Sequence, residues 1–326
     1  MENRRAFLKR SSMAAVAAAT AAALPTLSSC VTISTIRAKV PMKSKEIKKA
    51  AVLWYSQTGN TRKCGEVLAK TLENKGITVD HGDLRNFDKP KIGDVDLLVI
   101  GSPVFYYDTP EYVKNFIRSL PDLKGTPVAS YVTFGGPEGN QHNAACSILE
   151  GLAQKNGVPV GLETFMSISS YPLSFKKKEA NLKTGQNTIL PDRKTYERVR
   201  EYAAFVKAQV EKKNTSEFKK TLTLREFSTF FGPEWWTKQS VDNHSIIQQA
   251  CVECGTCVMK CPTDSIDLDA YTINRTSCVL CFGCLNNCEY QAVNMEYKGE
   301  RLISFQEYLK KNNLKFELPV ETNTSG

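Results

Sequence analysis

Two runs of closely spaced cysteines near the C-terminus constrain this sequence more than any other feature. Each run has the spacing C-x2-C-x2-C-x3-C. The first run consists of Cys251, Cys254, Cys257 and Cys261, and the second of Cys278, Cys281, Cys284 and Cys288. In this spacing three thiolates bind one four-iron cluster and the fourth reaches the neighbouring cluster, so we expect two 4Fe–4S clusters. Zinc is the alternative, but zinc takes four ligands in two separated pairs, whereas each run offers four.

The remaining cysteines stand at positions 30, 64 and 146. We expect Cys64 and Cys146 to be buried small apolar residues rather than redox groups, because nothing near them in the sequence would lower their pKa. A disulfide framework is disfavoured, because eight of the 11 cysteines belong to the two runs.

The first thirty residues have the composition of a targeting segment. Arg4 and Arg5 precede Phe-Leu-Lys, and an Ala-rich apolar run follows over residues 13–24. This run is too short to cross a bilayer, which needs about 20 apolar residues. Together with Leu-Ser-Ser before Cys30, the segment resembles a twin-arginine signal and a bacterial lipobox. The resemblance implies export by the twin-arginine route and a lipid anchor on Cys30, on the periplasmic face of the cytoplasmic membrane. An ordinary Ala-rich amphipathic helix is the alternative.

The length of 326 residues and the apolar content of 41% are sufficient for two domains. The formal net charge of +9 does not indicate nucleic-acid binding, because no basic helix with interleaved aromatic residues accompanies it. The pattern predicts a signal segment (1–30), a flexible tether (31–49), an α/β domain (50–212), a linker (213–249) and a small α+β cluster domain (250–326). The tether is predicted because residues 31–48 are polar, rich in lysine and without periodicity.

Strand and helix patterns alternate through the predicted α/β domain. Continuous apolar runs predict five strands, at residues 50–55, 77–80, 96–100, 127–134 and 158–167. Helical patterns begin near Asn60, after Pro110, near His142 and at Asp192. This alternation predicts a doubly wound parallel five-stranded sheet, in which ligands bind beyond the carboxyl ends of the strands.

The loop after the first predicted strand has the composition of a phosphate site. It consists of Ser56, Gln57, Thr58, Gly59, Asn60 and Thr61. Hydroxyl groups, a glycine for the bend and the free N–H groups of a helix N-terminus suit a terminal phosphate without a cationic side chain. The loop lacks the glycine patterns of dinucleotide and triphosphate sites, which favours a phosphomonoester. A turn that merely caps the helix is the alternative.

Two further loops follow the third and fourth predicted strands. One contains Ser102, Pro103, Val104, Phe105 and Tyr106, and the other contains Thr133, Phe134, Gly135 and Gly136. With these three loops, the stretch from Ala50 to Lys212 resembles the flavodoxin family. The resemblance implies FMN as the cofactor, with its phosphate on the first loop and its isoalloxazine ring against the second and third loops.

The region from Cys251 to Met295 resembles a bacterial two-cluster ferredoxin. One departure is Glu289, which follows Cys288 where the family pattern has proline. The missing proline affects the local turn and not the ligation of the cluster. A flavodoxin-like stretch followed by a ferredoxin-like one resembles the flavodoxin–ferredoxin fusion family. The resemblance implies FMN and two 4Fe–4S clusters in one electron-transfer chain.

Two functions are compatible with these cofactors. The first is an oxidoreductase that passes electrons between the clusters and FMN and reduces an acceptor outside the cytoplasm. The alternative is an electron-carrier module that docks redox partner proteins and has no small-molecule substrate. A pocket with a proton donor above the flavin favours the first hypothesis. The catalytic residues, the acceptor, the direction of electron flow and the oligomeric state do not follow from the sequence.

Three further features are interpreted from their position. The polar insert 167–191 leaves the sheet at its ligand-bearing edge and is a lid, a domain contact or an excursion. The linker's aromatic pairs, 230–231 and 235–236, are expected to pack in a core or interface. His142 is expected to be a solvent-exposed residue at a helix start rather than a proton donor to the flavin.

Overall fold

A computed structural model describes residues 31–136, 141–176, 190–222, 233–317 and 319. Its strands are β1 (Val31–Ile36), β2 (Lys49–Trp54), β3 (Thr78–Asp83), β4 (Leu97–Pro103), β5 (Pro127–Phe134), β6 (Val158–Met166), β7 (Phe218–Leu222), β8 (Val241–Ile246), β9 (Ile266–Asp267), β10 (Thr272–Ile273), β11 (Val293–Tyr297) and β12 (Glu300–Arg301). Its α-helices are α1 (Asn60–Glu73), α2 (Glu111–Arg118), α3 (Gln141–Gln154), α4 (Arg193–Glu211), α5 (Pro233–Ser240), α6 (Thr256–Lys260), α7 (Gly283–Asn287) and α8 (Phe305–Lys311).

The larger domain is built on a parallel sheet of five strands in the order β3-β2-β4-β5-β6. Every residue of β5, the strand between β4 and β6, is buried. Such strands are mostly apolar because helices cover both faces of a parallel sheet. The chain reverses its winding between β2 and β4, which places a ligand site beyond the carboxyl ends of these strands. The predicted flavodoxin-like fold class is confirmed.

Two helices pack on each face of this sheet. One core layer joins α1 and α4 to the sheet and includes Leu72 and Val199. The opposite layer joins α2 and α3 to the sheet and includes Ile117 and Leu149. Burial of each such side chain stabilises the fold by about 1.5–3 kcal/mol. The two layers therefore fix the position of the strand ends that carry the loops.

The segment 31–49 is not the flexible tether that its polar composition predicts. Strand β1 pairs antiparallel with β7, with Val31 opposite Leu222. Further along, Met42 and Ile47 are buried in the core of the larger domain. The prediction is wrong because the partner strand lies almost two hundred residues away, where local composition gives no sign of it.

The smaller domain contains an antiparallel sheet in the order β12-β11-β8-β10-β9. Strand β8 belongs to this sheet although it lies within the predicted linker 213–249, so the domain begins before residue 250. Helices α6 and α7 are single turns that carry Cys257 and Cys284 of the two cysteine runs. The small α+β module predicted from the sequence is confirmed.

The linker's tryptophans are not packed as predicted. Trp235 and Trp236 contact each other edge to face in α5, yet they are 55% and 58% exposed. The pair 230–231 and the whole segment 1–30, with Arg4, Arg5 and Cys30, lie outside the described residues. Within the part of the chain that the structure describes, no helix has the length and apolar character needed to cross a membrane.

Candidate functional site

A cavity of about 670 Å³ lies at the carboxyl ends of the parallel strands. All of the residues predicted in the three flavin loops line it except Gly59 and Ser102. Its volume is typical of a small-molecule or cofactor site, which occupies about 300–1,000 Å³. The doubly wound topology therefore brings the three loops to one place, as the strand pattern predicts.

The first loop leaves buried polar atoms without partners. Gly59 adopts a left-handed conformation (φ 94°) and starts α1 without a side-chain cap. The Ser56 Oγ and Asn60 Oδ1 atoms are buried and have no hydrogen-bond partner among the described residues, while Asn60 Nδ2 donates to Ile168 O at 3.1 Å. Unpartnered buried polar atoms are costly, so they mark places where a ligand completes the bonding.

These free groups fit FMN. The first turn of α1 has no acidic side chain, and its N–H groups suit a phosphate. The hydroxyl of Ser56 adds a donor, and Asn60 Oδ1 offers an acceptor for a hydroxyl of the ribityl chain. Nothing in the loop would repel a phosphate dianion, and the site requires no cationic side chain.

The second loop turns sharply at two tyrosines. Tyr106 and Tyr107 both have positive φ, 47° and 73°. Phe105 and Asp108 flank this turn and exchange two backbone hydrogen bonds of 2.9 Å. A left-handed conformation at two consecutive residues with side chains is strained and commonly marks a functional loop. The turn places both tyrosines in the cavity wall.

Buried hydroxyl groups form hydrogen bonds within and between the loops. Ser102 does not line the cavity; it is fully buried, and its Oγ donates to Pro103 O at 2.9 Å. Thr61 Oγ1 and Thr133 Oγ1 lie 2.8 Å apart, which joins the first loop to the third. The loops thus form a preorganised wall.

The insert after β6 supplies the opposite wall. Residues 167–171 and Ser174 line the cavity. Ser170 O accepts a hydrogen bond from Asn286 Nδ2 at 3.0 Å, and the Tyr171 ring meets the Phe282 ring edge to face at 5.6 Å. The described part of the insert is therefore both a cavity wall and a domain contact. The sequence left these two roles open, and residues 177–189 lie outside the described residues.

The cluster domain closes the cavity. Leu280, Cys281 and Phe282 line it, although the sequence analysis predicts only a cluster-ligand role for Cys281 and no role for the other two. Tyr106 donates its hydroxyl to Leu280 O at 3.1 Å, and the Gln57 amide donates to Cys281 O. The sequence gives no signal for this contact, because the contact depends on how two domains joined by a linker pack together.

Four cysteines form a second site, here called the outer site, which shares no residue with the larger cavity. Cys251, Cys254, Cys257 and Cys288 together line a small cavity of about 20 Å³. Cys254 is exposed to solvent. Burial raises the pKa of the Cys257 thiol, and the neighbouring charges of Cys288 and Cys251 raise it further. The second run thus contributes Cys288 to the site of the first run.

The other four cysteines form an inner site next to the flavin cavity. These are Cys261, Cys278, Cys281 and Cys284. Burial, with smaller contributions from the charges of Cys278 and Cys261, raises the pKa of Cys281 to about 11. Burial likewise raises the pKa of Cys284, followed by the charges of Cys281, Cys278 and Cys261. The inner site therefore contains Cys261 of the first run, which is the crossed grouping that the spacing predicts.

Backbone N–H groups approach the sulfurs at equivalent positions of the two runs. The donors and acceptors are Glu253 N to Cys251 Sγ (3.4 Å), Leu280 N to Cys278 Sγ (3.4 Å), Ser265 N to Cys261 Sγ (3.3 Å) and Ala292 N to Cys288 Sγ (3.2 Å). Such bonds stabilise thiolates and help to set cluster potentials. No three His, Cys, Asp or Glu side chains among the described residues close on a single-ion site.

Two cysteines and a histidine lie away from the cavity. Cys64 is buried, and burial raises its pKa to about 12, as expected for a small apolar core residue. Cys146 is also buried, but its sulfur lies 3.4 Å from His142 Nε2, a contact that the sequence analysis missed. His142 also approaches Lys219 O at 3.2 Å and does not line the cavity.

Comparisons with known proteins agree with the two domains. Residues 51–172 match the family model of the flavodoxin domain, and residues 244–267 match that of the 4Fe-4S binding domain. No curated protein sequence matches the chain.

Solved flavodoxins are similar to the larger domain. One from the domain Archaea is 16% identical, with a TM-score of 0.38, over 50% of this chain and 99% of its own. Flavodoxin 2 of Bacillus cereus is 17% identical, with a TM-score of 0.39, over 49% of this chain and 98% of its own. Rubredoxin oxygen:oxidoreductase of Desulfovibrio gigas is 16% identical, with a TM-score of 0.38, over 52% of this chain and 37% of its own. Identities at this level concern the fold alone.

Proposed function

We propose that this chain, which joins a flavodoxin domain to a 4Fe-4S binding domain, passes electrons between two 4Fe–4S clusters and one FMN. The inner site takes one cluster, the outer site takes the other, and the cavity takes FMN. Bound FMN accepts one or two electrons and each cluster one, so their combination supplies two-to-one electron conversion. The chain reduces an acceptor outside the cytoplasm.

The observation that carries this proposal is the position of Cys281. It belongs to the inner cysteine group and also lines the flavin cavity. Gln57 and Tyr106 hydrogen bond to the backbone of residues 280–281, which holds the inner site against the flavin loops. The outer site shares no residue with the flavin cavity and has an exposed cysteine. This order supports a path from the protein surface through two clusters to the flavin.

The cavity favours an oxidoreductase over a pure carrier. Tyr106, Tyr107 and Tyr171 line it; the Tyr106 hydroxyl donates to Leu280 O, so Tyr107 and Tyr171 are the phenolic groups that can hold or deliver a proton. Burial raises the pKa of Tyr171, which keeps its hydroxyl protonated at neutral pH. Tyr107 is 41% exposed and marks the side of the cavity nearest to solvent.

The surface near the outer site supports the second candidate, an electron carrier for protein partners. Val252, Met259 and Tyr290 are 53%, 68% and 51% exposed. Val252 and Tyr290 line the outer cavity together with Cys254. Exposed apolar side chains around a redox site are typical of a docking surface. A partner protein would exchange electrons at this surface, whereas a small-molecule acceptor would enter the flavin cavity.

Cofactor content tests the proposal. We expect anaerobically purified protein to contain one FMN and about eight irons per chain, since each four-iron cluster has four thiolate ligands. Iron and acid-labile sulfide assays, with chromatography of the released flavin, make the measurement. FAD in place of FMN, zinc in place of iron, or fewer than about six irons would refute the assignment.

We also propose that the chain is exported through the twin-arginine route and is lipid-anchored at Cys30. A route that transports folded proteins suits a chain whose clusters and flavin are inserted before export. The double substitution Arg4→Lys with Arg5→Lys should therefore leave the precursor in the cytoplasm. Cell fractionation with Lys9→Gln as the control makes the measurement. Normal export of the double variant would exclude this route.

A further inference from the structure

One buried hydroxyl, that of Tyr55, belongs neither to the flavin loops nor to the cysteine groups. Tyr55 is the last residue before the phosphate loop and is 1% exposed. Its hydroxyl oxygen is buried and has no hydrogen-bond partner among the described residues. A tyrosine hydroxyl enclosed in this way usually bonds to something, because leaving it unpaired costs about 1–3 kcal/mol.

The Tyr55 ring is held firmly in place. It packs edge to face on Phe105 at 6.2 Å and against Tyr112 at 5.3 Å. The Arg85 guanidinium lies 5.6 Å from its ring centroid. Arg85 is itself paired with Asp83 at 2.7 Å. The hydroxyl therefore has a fixed direction, determined by packing within the flavodoxin domain.

Cys281 of the inner site is close to this hydroxyl, at the boundary where the Gln57 amide contacts the Cys281 backbone. Burial raises the pKa of Tyr55, and the next largest cause is the charge of the Cys281 sulfur. A hydrogen bond also joins this part of the chain to Cys281. The side-chain amide of Gln57, two residues after Tyr55, donates to Cys281 O. Arg85 also reaches across the domain boundary and donates to Met259 O at 3.0 Å. Residues that follow two strands of the flavodoxin domain thus contact the backbone of the cluster domain at Cys281 and at Met259.

We infer that Tyr55 donates its hydroxyl hydrogen to the Cys281 sulfur when this thiolate ligates the inner cluster, and thereby raises the potential of that cluster. The inference rests on the proposed function. A hydrogen bond to a cluster sulfur stabilises the reduced cluster more than the oxidised one, because the reduced cluster is more negative. Tyr55 is thus a positioning residue through which the flavin-binding domain adjusts the cluster next to it.

The test is a redox titration monitored by electron paramagnetic resonance on the Tyr55→Phe holoprotein. The substitution removes one oxygen and keeps the ring, so the fold and the FMN content should be unchanged. Of the two cluster midpoint potentials, one should shift to a more negative value and the other should stay. The same shift should appear when Tyr55→Phe is combined with Cys288→Ala, which is expected to keep only the inner cluster.

Tyr112→Phe is the matched control. Its ring packs against Tyr55, but its hydroxyl interacts with the charges of Arg85, Asp83 and Asp264 and with no cysteine. Both cluster potentials should stay unchanged in this variant. Unaltered cluster potentials in a Tyr55→Phe protein with full iron and FMN would overturn the inference. Absence of cluster signals in the wild-type protein would refute the proposed function instead, so the two failures are distinguishable.

Discussion

Replacing Cys288 with alanine is expected to remove the outer cluster and leave FMN bound. Cys288 lines the small outer cavity with the first three cysteines of the other run. A cluster left with three thiolates loses iron readily, so the iron content should fall to about half. Cys288 does not line the flavin cavity, whose contacts with the cluster domain come from residues 280–282. The FMN content should therefore stay near one per chain.

Iron and flavin assays on anaerobically purified protein make this measurement. The control is Cys64→Ala, which removes a buried thiol that belongs to neither cysteine group. It should keep both iron and FMN. Full iron content in the Cys288→Ala protein would show that Cys288 is not a ligand. Loss of FMN along with the iron would show that the two sites depend on each other structurally.

Replacing Gly135 with alanine should greatly weaken FMN binding. An added Cβ would lie 2.3 Å from Ser169 N and 2.4 Å from Ser169 Cα, and backbone atoms cannot rotate away. The segment 168–170 would have to move, although it forms a wall of the cavity and holds Asn60 through Ile168 O. Overpacking costs about 1–3 kcal/mol, which corresponds to a loss of affinity of about 5- to 150-fold.

Fluorescence of FMN released on dilution of the holoprotein measures the affinity. Gly82→Ala is the matched control, because an added Cβ there has no atom within 4 Å. It should bind FMN as the wild type does. Equal FMN affinity of the Gly135→Ala and Gly82→Ala proteins would place the flavin away from the third loop.

The regular parts of the fold follow from local patterns in the sequence. Apolar runs predict all five strands, their alternation with helices predicts that the sheet is parallel, and the strand order is the one that the flavodoxin resemblance implies. The three loops meet because topology requires it. The crossed grouping of Cys261 and Cys288 follows from spacing alone. Each of these features depends on residues that are close in the sequence or on a rule of topology.

The errors and omissions concern contacts between distant segments. Strand β1 has the sequence VTIST followed by Ile36, rich in the β-branched residues that favour strands, but its partner β7 cannot be identified locally. The left-handed turn at Tyr106 and Tyr107 is unexpected for residues with side chains. The role of Tyr55 depends on the packing of two domains, which no periodicity describes.

The central claim is that the clusters and the flavin form one path, and the rate of flavin reduction tests it most directly. Reduced bacterial ferredoxin is a suitable donor, because a protein is too large to enter the cavity and must deliver electrons at the surface. Stopped-flow absorbance follows the flavin in wild-type and Cys288→Ala proteins of equal FMN content. We expect reduction to be at least about tenfold slower in the variant, since the outer cluster is the exposed end of the path. A wild-type rate in a variant that has lost its outer cluster would contradict the account.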